Sequence, residues 1–191
     1  MARLVFITHP EVVVDPRQPV PRWHLSEIGI ARMRAFAHCD AARGIGRIVA
    51  STETKAIEAA GILAGAFGLS VEVDEGLGEN DRSATGFLPP PEFEATADAF
   101  FAQPERSVRG WERAVDAQAR VVAAMKRAIA SHTAGDLALV AHGGVGTLLY
   151  CHLAGLGISR RHDQSSQGNY FTAEIETRRV IHGWREIAPR E

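Results

Sequence analysis

Cysteine is scarce in this chain of 191 residues. The two present, Cys39 and Cys151, show no metal-type spacing and fall in stretches that read as helical, so neither a disulfide framework nor a zinc site is expected. A reducing, cytoplasmic setting is the expectation that follows. An excess of one charge is also missing: 21 basic side chains face 23 acidic ones, so neither nucleic acid nor an anionic membrane surface is expected as the main partner. Long apolar runs are absent, and the start of the chain carries no basic segment followed by an apolar one, so neither a signal peptide nor a membrane span is expected. There is no G-x-S-x-G elbow and no H-E-x-x-H helix, which removes support for serine hydrolase and zinc protease chemistry. The run His142-Gly143-Gly144-Val145-Gly146 does not complete a G-x-G-x-x-G pattern, and too little chain follows it for a dinucleotide-binding unit.

What is present is the composition of a globular protein, 46% hydrophobic and 23% charged, in a length that suits one domain over residues 1–191. Short apolar runs alternate with stretches of helical period, the pattern of strand and crossover helix in a mostly parallel sheet flanked by helices in a three-layer α/β sandwich. Strands are predicted at 4–7, 47–50, 71–73 and 137–141, with a terminal hairpin over 169–176 and 179–187. Helices are predicted at about 25–39, 53–67, 92–102 and 110–131, and after Gly143. Ser26 is a candidate cap for the first, with Ile28, Met33 and Phe36 facing inward, and Ser51 or Thr52 for the second, which carries Ile57, Ile62 and Leu63 and ends at Gly68. Between Gly76 and Pro91 glycine and proline rise and periodicity disappears, marking an irregular excursion of the kind that carries function.

Three predicted strands end in polar residues. The first runs into Thr8-His9, the second into Ser51-Thr52 with Lys55 behind, and the 137–141 strand into His142-Gly143-Gly144. In an open α/β sheet the carboxyl ends of parallel strands lie along one edge, where helix N-termini present unpaired N–H groups to anions. Two histidines and a lysine at that edge point to an anion site.

The segments Ile7-Thr8-His9-Pro10-Glu11, Trp23-His24-Leu25-Ser26-Glu27-Ile28-Gly29, Ser51-Thr52-Glu53-Thr54-Lys55-Ala56 and Val140-Ala141-His142-Gly143-Gly144 resemble successive motifs of the histidine phosphatase (phosphoglycerate mutase-like) superfamily. That resemblance implies His9 as nucleophile, Lys55 as the phosphate-binding cation, Glu79 as proton donor with Asp81 second, and His142 as the second histidine. Thr8, Arg22 and Gly143 are expected to contribute to phosphate binding, with Arg82, Arg109 and Arg161 as further candidate cations. The implied activity is a metal-independent, cofactor-free phosphatase that hydrolyses a phosphomonoester or phosphorylated side chain through a phosphohistidine. Its expected partner is a phosphorylated small molecule or phosphoprotein. A neutral imidazole nitrogen can attack phosphorus, hold the phosphoryl group and yield it to water, dividing one hard step into two. Thr8 and Lys55 stand where the family has arginines, and Pro10 where it has glycine. Threonine has no charge and lysine no planar fork, so the grip on phosphate is expected to be weaker. The alternative reading is a degenerate member that binds a phosphorylated ligand without turnover. Trp111 is expected in the core.

Overall fold

The computed structural model describes residues 2–189. Six strands form one sheet in the order β3-β2-β4-β1-β5-β6. The strands are β1 (Arg3–Thr8), β2 (Ile45–Ala50), β3 (Val71–Val73), β4 (Asp136–Ala141), β5 (Asn169–Glu174) and β6 (Val180–Glu186). The first four pair in parallel, and β5 and β6 add antiparallel, so the carboxyl ends of β1, β2 and β4 share one edge. Burial on both faces explains why β1 and β4 read as unbroken apolar runs. One face is covered by α1 (Glu27–Ala37) and α2 (Thr54–Phe67) over a core including Val5, Ile7, Met33, Phe36 and Leu63. The other carries α4 (Ala114–Ala130) and α5 (Gly143–Ala154), with α3 (Pro90–Ala102) packed at the margin through Phe100 and Phe101. Trp111 is buried there, as expected.

Local signals account for most boundaries. Ser26 caps α1 by accepting from Gly29 N–H at 3.1 Å. Gly68 and Gly155 end α2 and α5 in the left-handed conformation that glycine adopts without strain. Several expectations need correction. Ile28 and Ile57 face solvent, so the inward stripes of α1 and α2 are carried by Met33, Phe36, the small residues Ala56, Ala59 and Ala60, and Leu63. Cys39 lies in the turn beyond α1, while Cys151 is buried within α5, and both are free thiols. The cap of α2 is Glu53, and Ser51 instead accepts from Glu53 N–H at 3.2 Å. The predicted hairpin forms without a glycine at its turn because Arg178 takes the positive φ of 58° itself. No helix among the described residues is long and apolar enough to cross a membrane.

Candidate active site

The two histidines meet because their strands are neighbours. β1 and β4 pair in register with Thr8 opposite Ala141, and His9 N–H donates to Ala141 C=O at 3.0 Å. One residue beyond each strand, the rings of His9 and His142 stand 5.2 Å apart, centroid to centroid, at 66°. His9 is half-buried and His142 fully buried.

The tautomer of His9 follows from its partner. Its Nδ1 lies 2.9 Å from Pro10 C=O, which can only accept, so Nδ1 carries the hydrogen and Nε2 keeps its lone pair. Burial, reinforced by the neighbouring His142 and Lys55, lowers its pKa to about 3, so the ring is neutral at physiological pH. His142 Nε2 faces Ser51 Oγ at 2.8 Å and Glu53 Oε1 at 3.3 Å. Burial lowers its pKa too, against the opposite pull of Glu53 and Glu79. The ring's other nitrogen, Nδ1, is buried and has no partner among the described residues.

Lys55 and Arg82 are already matched with carboxylates. Lys55, 4% exposed, forms a short ion pair with Glu53 and donates to Val20 C=O at 3.0 Å, in the single 3₁₀ turn over 20–22. Burial opposes ionisation of Glu53, yet the charges of His142 and Lys55 hold its pKa at about 2. Glu53 also accepts from Glu79 N–H at 3.0 Å. The Glu79 carboxylate is spread over the start of α5, accepting from Gly144 and Val145 N–H at 3.0 Å each, and pairs with Arg82 at 3.2 Å. Burial would raise its pKa, but Arg82, His142 and the Gly144 N–H hold it below the usual range, so Glu79 is a carboxylate in the resting protein. The Arg82 guanidinium lies over the adjacent rings of Phe93 and Trp111, 4.9 Å from each centroid, and donates to Asn80 Oδ1 at 2.9 Å.

The remaining expected residues divide. Gly143 opens α5 beside His142, and its N–H has no acceptor among the described residues. Thr8 is buried and its hydroxyl is spent inside the protein, accepting from Asn169 N–H at 2.9 Å and donating to Gln164 Oε1 at 2.7 Å. It therefore has no hydrogen left for a phosphate oxygen, which corrects its assignment as a direct ligand. Arg22 ends the 20–22 turn above Lys55 and is exposed, at the rim. Asp81 is exposed and tied to Ser83 N–H at 2.8 Å, Arg109 pairs with Glu92 on the surface at 3.2 Å, and Arg161 is exposed. The segments over 13–23 and 83–89 touch through Trp23 and Phe87, 5.6 Å between centroids. Glu53 and Gln164 were not expected at the site. The acid two residues before the replaced arginine was the available signal for the first; the second lies in a loop with no motif.

A profile of the histidine phosphatase superfamily (branch 1) matches residues 9–180. Among solved structures, a mycobacterial glucosyl-3-phosphoglycerate phosphatase in complex with inorganic phosphate is 25% identical, with 97% of this chain and 95% of that one covered and a TM-score of 0.75. YhfR of Bacillus stearothermophilus is 21% identical over 96% and 95% of the two chains, with a TM-score of 0.80. A structure described as mycobacterial hydrolase 2 is 23% identical over 100% and 92%, with a TM-score of 0.77. A comparison with curated proteins finds no match. The paired strand-end histidines, the sheet order and a profile match over nearly the whole length agree, and the chain belongs to the histidine phosphatase superfamily, branch 1.

Proposed function

We propose that the protein is a metal-independent phosphatase that hydrolyses phosphomonoesters, of small molecules or of phosphorylated side chains, through a phosphoryl group carried on Nε2 of His9. The observation that carries this reading is the state of that ring: Nδ1–H is tied to Pro10 C=O, burial keeps the imidazole neutral, and Nε2 is left with its lone pair. Nε2 attacks phosphorus, the ester oxygen leaves with a proton, and water then takes the phosphoryl group from nitrogen. Glu79 is the proton donor in this scheme. It is ionised at rest, and the negative charge of an arriving phosphate beside it favours its protonation, so the substrate charges its own acid. His142, whose Nδ1 lacks a partner, takes a proton in the same field and donates it as a hydrogen bond to a non-bridging oxygen.

A binding-only reading draws on one observation, the mutual engagement of Lys55 and Glu53, which leaves the lysine charge neutralised in the resting site. Phosphate release from a panel of phosphomonoesters in the presence of a metal chelator separates the two. The expected outcome is release by the wild-type protein with an acid-labile phosphoenzyme detectable by ³²P transfer, and loss of both in His9→Ala. Tight binding of the panel with no release favours the second reading, and release untouched by His9→Ala sinks the mechanism.

A further inference from the structure

Lys55 and Arg82 are each paired with a carboxylate and Arg22 is exposed, which directs attention to the neutral donors beside the histidines. The hydroxyl of Thr8, the residue before the nucleophile, has two acceptors in reach, Gln164 Oε1 at 2.7 Å and Asn169 C=O at 3.2 Å, and donates to the nearer, the Gln164 amide oxygen. With the amide oxygen thus engaged, the amide NH₂ of the half-buried Gln164 is turned the other way, where it is open to an arriving acceptor. It lies against Gly143: a Cβ built on that glycine would be 2.5 Å from Gln164 Nε2. Gly143 is the residue after His142 and carries the one N–H of the first α5 turn that Glu79 does not take. The Gln164 amide and the Gly143 N–H thus lie next to each other at the residue that follows His142, whose buried Nδ1 has no partner among the described residues.

The loop holding Gln164 is fastened at several points. Gln164 N–H donates to Asp163 Oδ1 at 2.8 Å, and the same oxygen is held by Thr147 Oγ1 of α5 at 2.7 Å. Arg32, 3% exposed, grips the far end of the loop through Gln167 C=O at 2.9 Å and Gly168 C=O at 3.1 Å. Gly168 N–H in turn donates to His9 C=O at 3.1 Å, tying the loop to the nucleophile's own backbone.

We infer that Gln164, presented by Thr8, is a phosphate-binding residue that takes the place of the absent first-motif arginine, donating its amide N–H groups to a non-bridging oxygen beside Gly143 N–H. The inference rests on the phosphatase reading. Thr8 is then a positioning residue: it touches no phosphate oxygen and acts by fixing which way the amide faces. A side chain at Gly143 would push that amide aside, since its Cβ would fall 2.5 Å from Gln164 Nε2.

The experiment is calorimetric titration of the full chain with inorganic phosphate, alongside turnover of the best phosphomonoester. A hydrogen bond to a charged group is worth about 1.5–3 kcal/mol, so Gln164→Leu is expected to weaken phosphate about ten- to a hundredfold. Gln164→Glu, nearly the same shape, places a negative charge there and should abolish binding. Thr8→Val should weaken phosphate as much as Gln164→Leu and add nothing to it in the double variant, while Thr8→Ser, which keeps the hydroxyl, should bind as the wild type does. If Gln164→Leu and Gln164→Glu both fold and bind phosphate like the wild type, whose turnover still requires His9, the inference is wrong and the phosphatase reading stands. If the wild type neither binds phosphate nor releases it from any ester, both fall.

Discussion

At the scale of single residues, the site is a set of charges that have been matched before any ligand arrives. Lys55 and Glu53 are both nearly buried, their side chains 5% and 11% exposed, and each is the other's principal partner. Removing one member of such a pair strands the other, which costs about 3–5 kcal/mol. Glu53→Gln is therefore expected to lower the unfolding free energy by about 3 kcal/mol, whereas the double change Glu53→Leu, Lys55→Met, which strands no charge, should cost less than the single one. Urea unfolding of the two variants checks this, and a double variant weaker than Glu53→Gln would contradict the pairing. His9 gives a second expectation. Because its pKa lies near 3, the proposed role of His9 as nucleophile predicts no fall in kcat/KM from its protonation between pH 7 and 5 once the substrate's own ionisation is allowed for. A tenfold fall centred near 6.5 in a pH–rate profile would show an ordinary imidazole instead. His9 and His142 were legible from sequence because the end of a strand fixes where they lie. Glu53 and Gln164 were not, since the direction of each side chain depends on partners 89 and 156 positions away.

At the scale of elements, boundaries and strand order follow local chemistry, and the faces of helices do so less well. The α1 stripe was expected to include Ile28, but Ile28 faces solvent and Met33 and Phe36 fill the core; in α2 the buried positions include Ala56, Ala59, Ala60 and Leu63, the small alanines letting the helix come close to the sheet, and Ile57 is exposed. Close approach also governs α5. A Cβ at Gly146 would stand 2.6 Å from the Phe6 ring and 2.9 Å from Trp184, side chains that pack against Phe171 and each other. Gly146→Ala gains helix propensity worth up to ~1 kcal/mol, but overpacking a core costs ~1–3 kcal/mol, so the substitution should destabilise. Gly61→Ala in α2, where a Cβ meets nothing within 4 Å, should be neutral or stabilising. Thermal unfolding of the two variants gives the comparison, and equal shifts would show that the α5 contact is looser than described.

At the scale of the whole molecule, the buried site makes stability depend on pH in a definite direction. His9 has a pKa of about 3 when folded against 6.5 when free, so between those values the unfolded chain holds a proton that the folded one does not. Stability therefore falls as pH drops below 6.5. His142, lowered by burial, acts in the same sense. Glu53, held at about 2 against 4.5, adds its own loss as pH falls below 4.5, so the decline should steepen there. Urea midpoints across pH 7 to 4 should trace this curve, and His9→Asn should flatten its upper part; a wild-type midpoint constant from pH 7 to 5 would refute it.

The distance between the two imidazoles is a property of neighbouring strands in the sheet, set by the β1–β4 register and the bond from His9 N–H to Ala141 C=O. The loops that meet at Trp23 and Phe87 have no part in that spacing. For an engineer this separates two design problems. Libraries confined to residues 13–22 and 83–89 leave the alignment of the two histidines untouched, whereas one inserted residue in β1 would shift the register and lose that alignment at once.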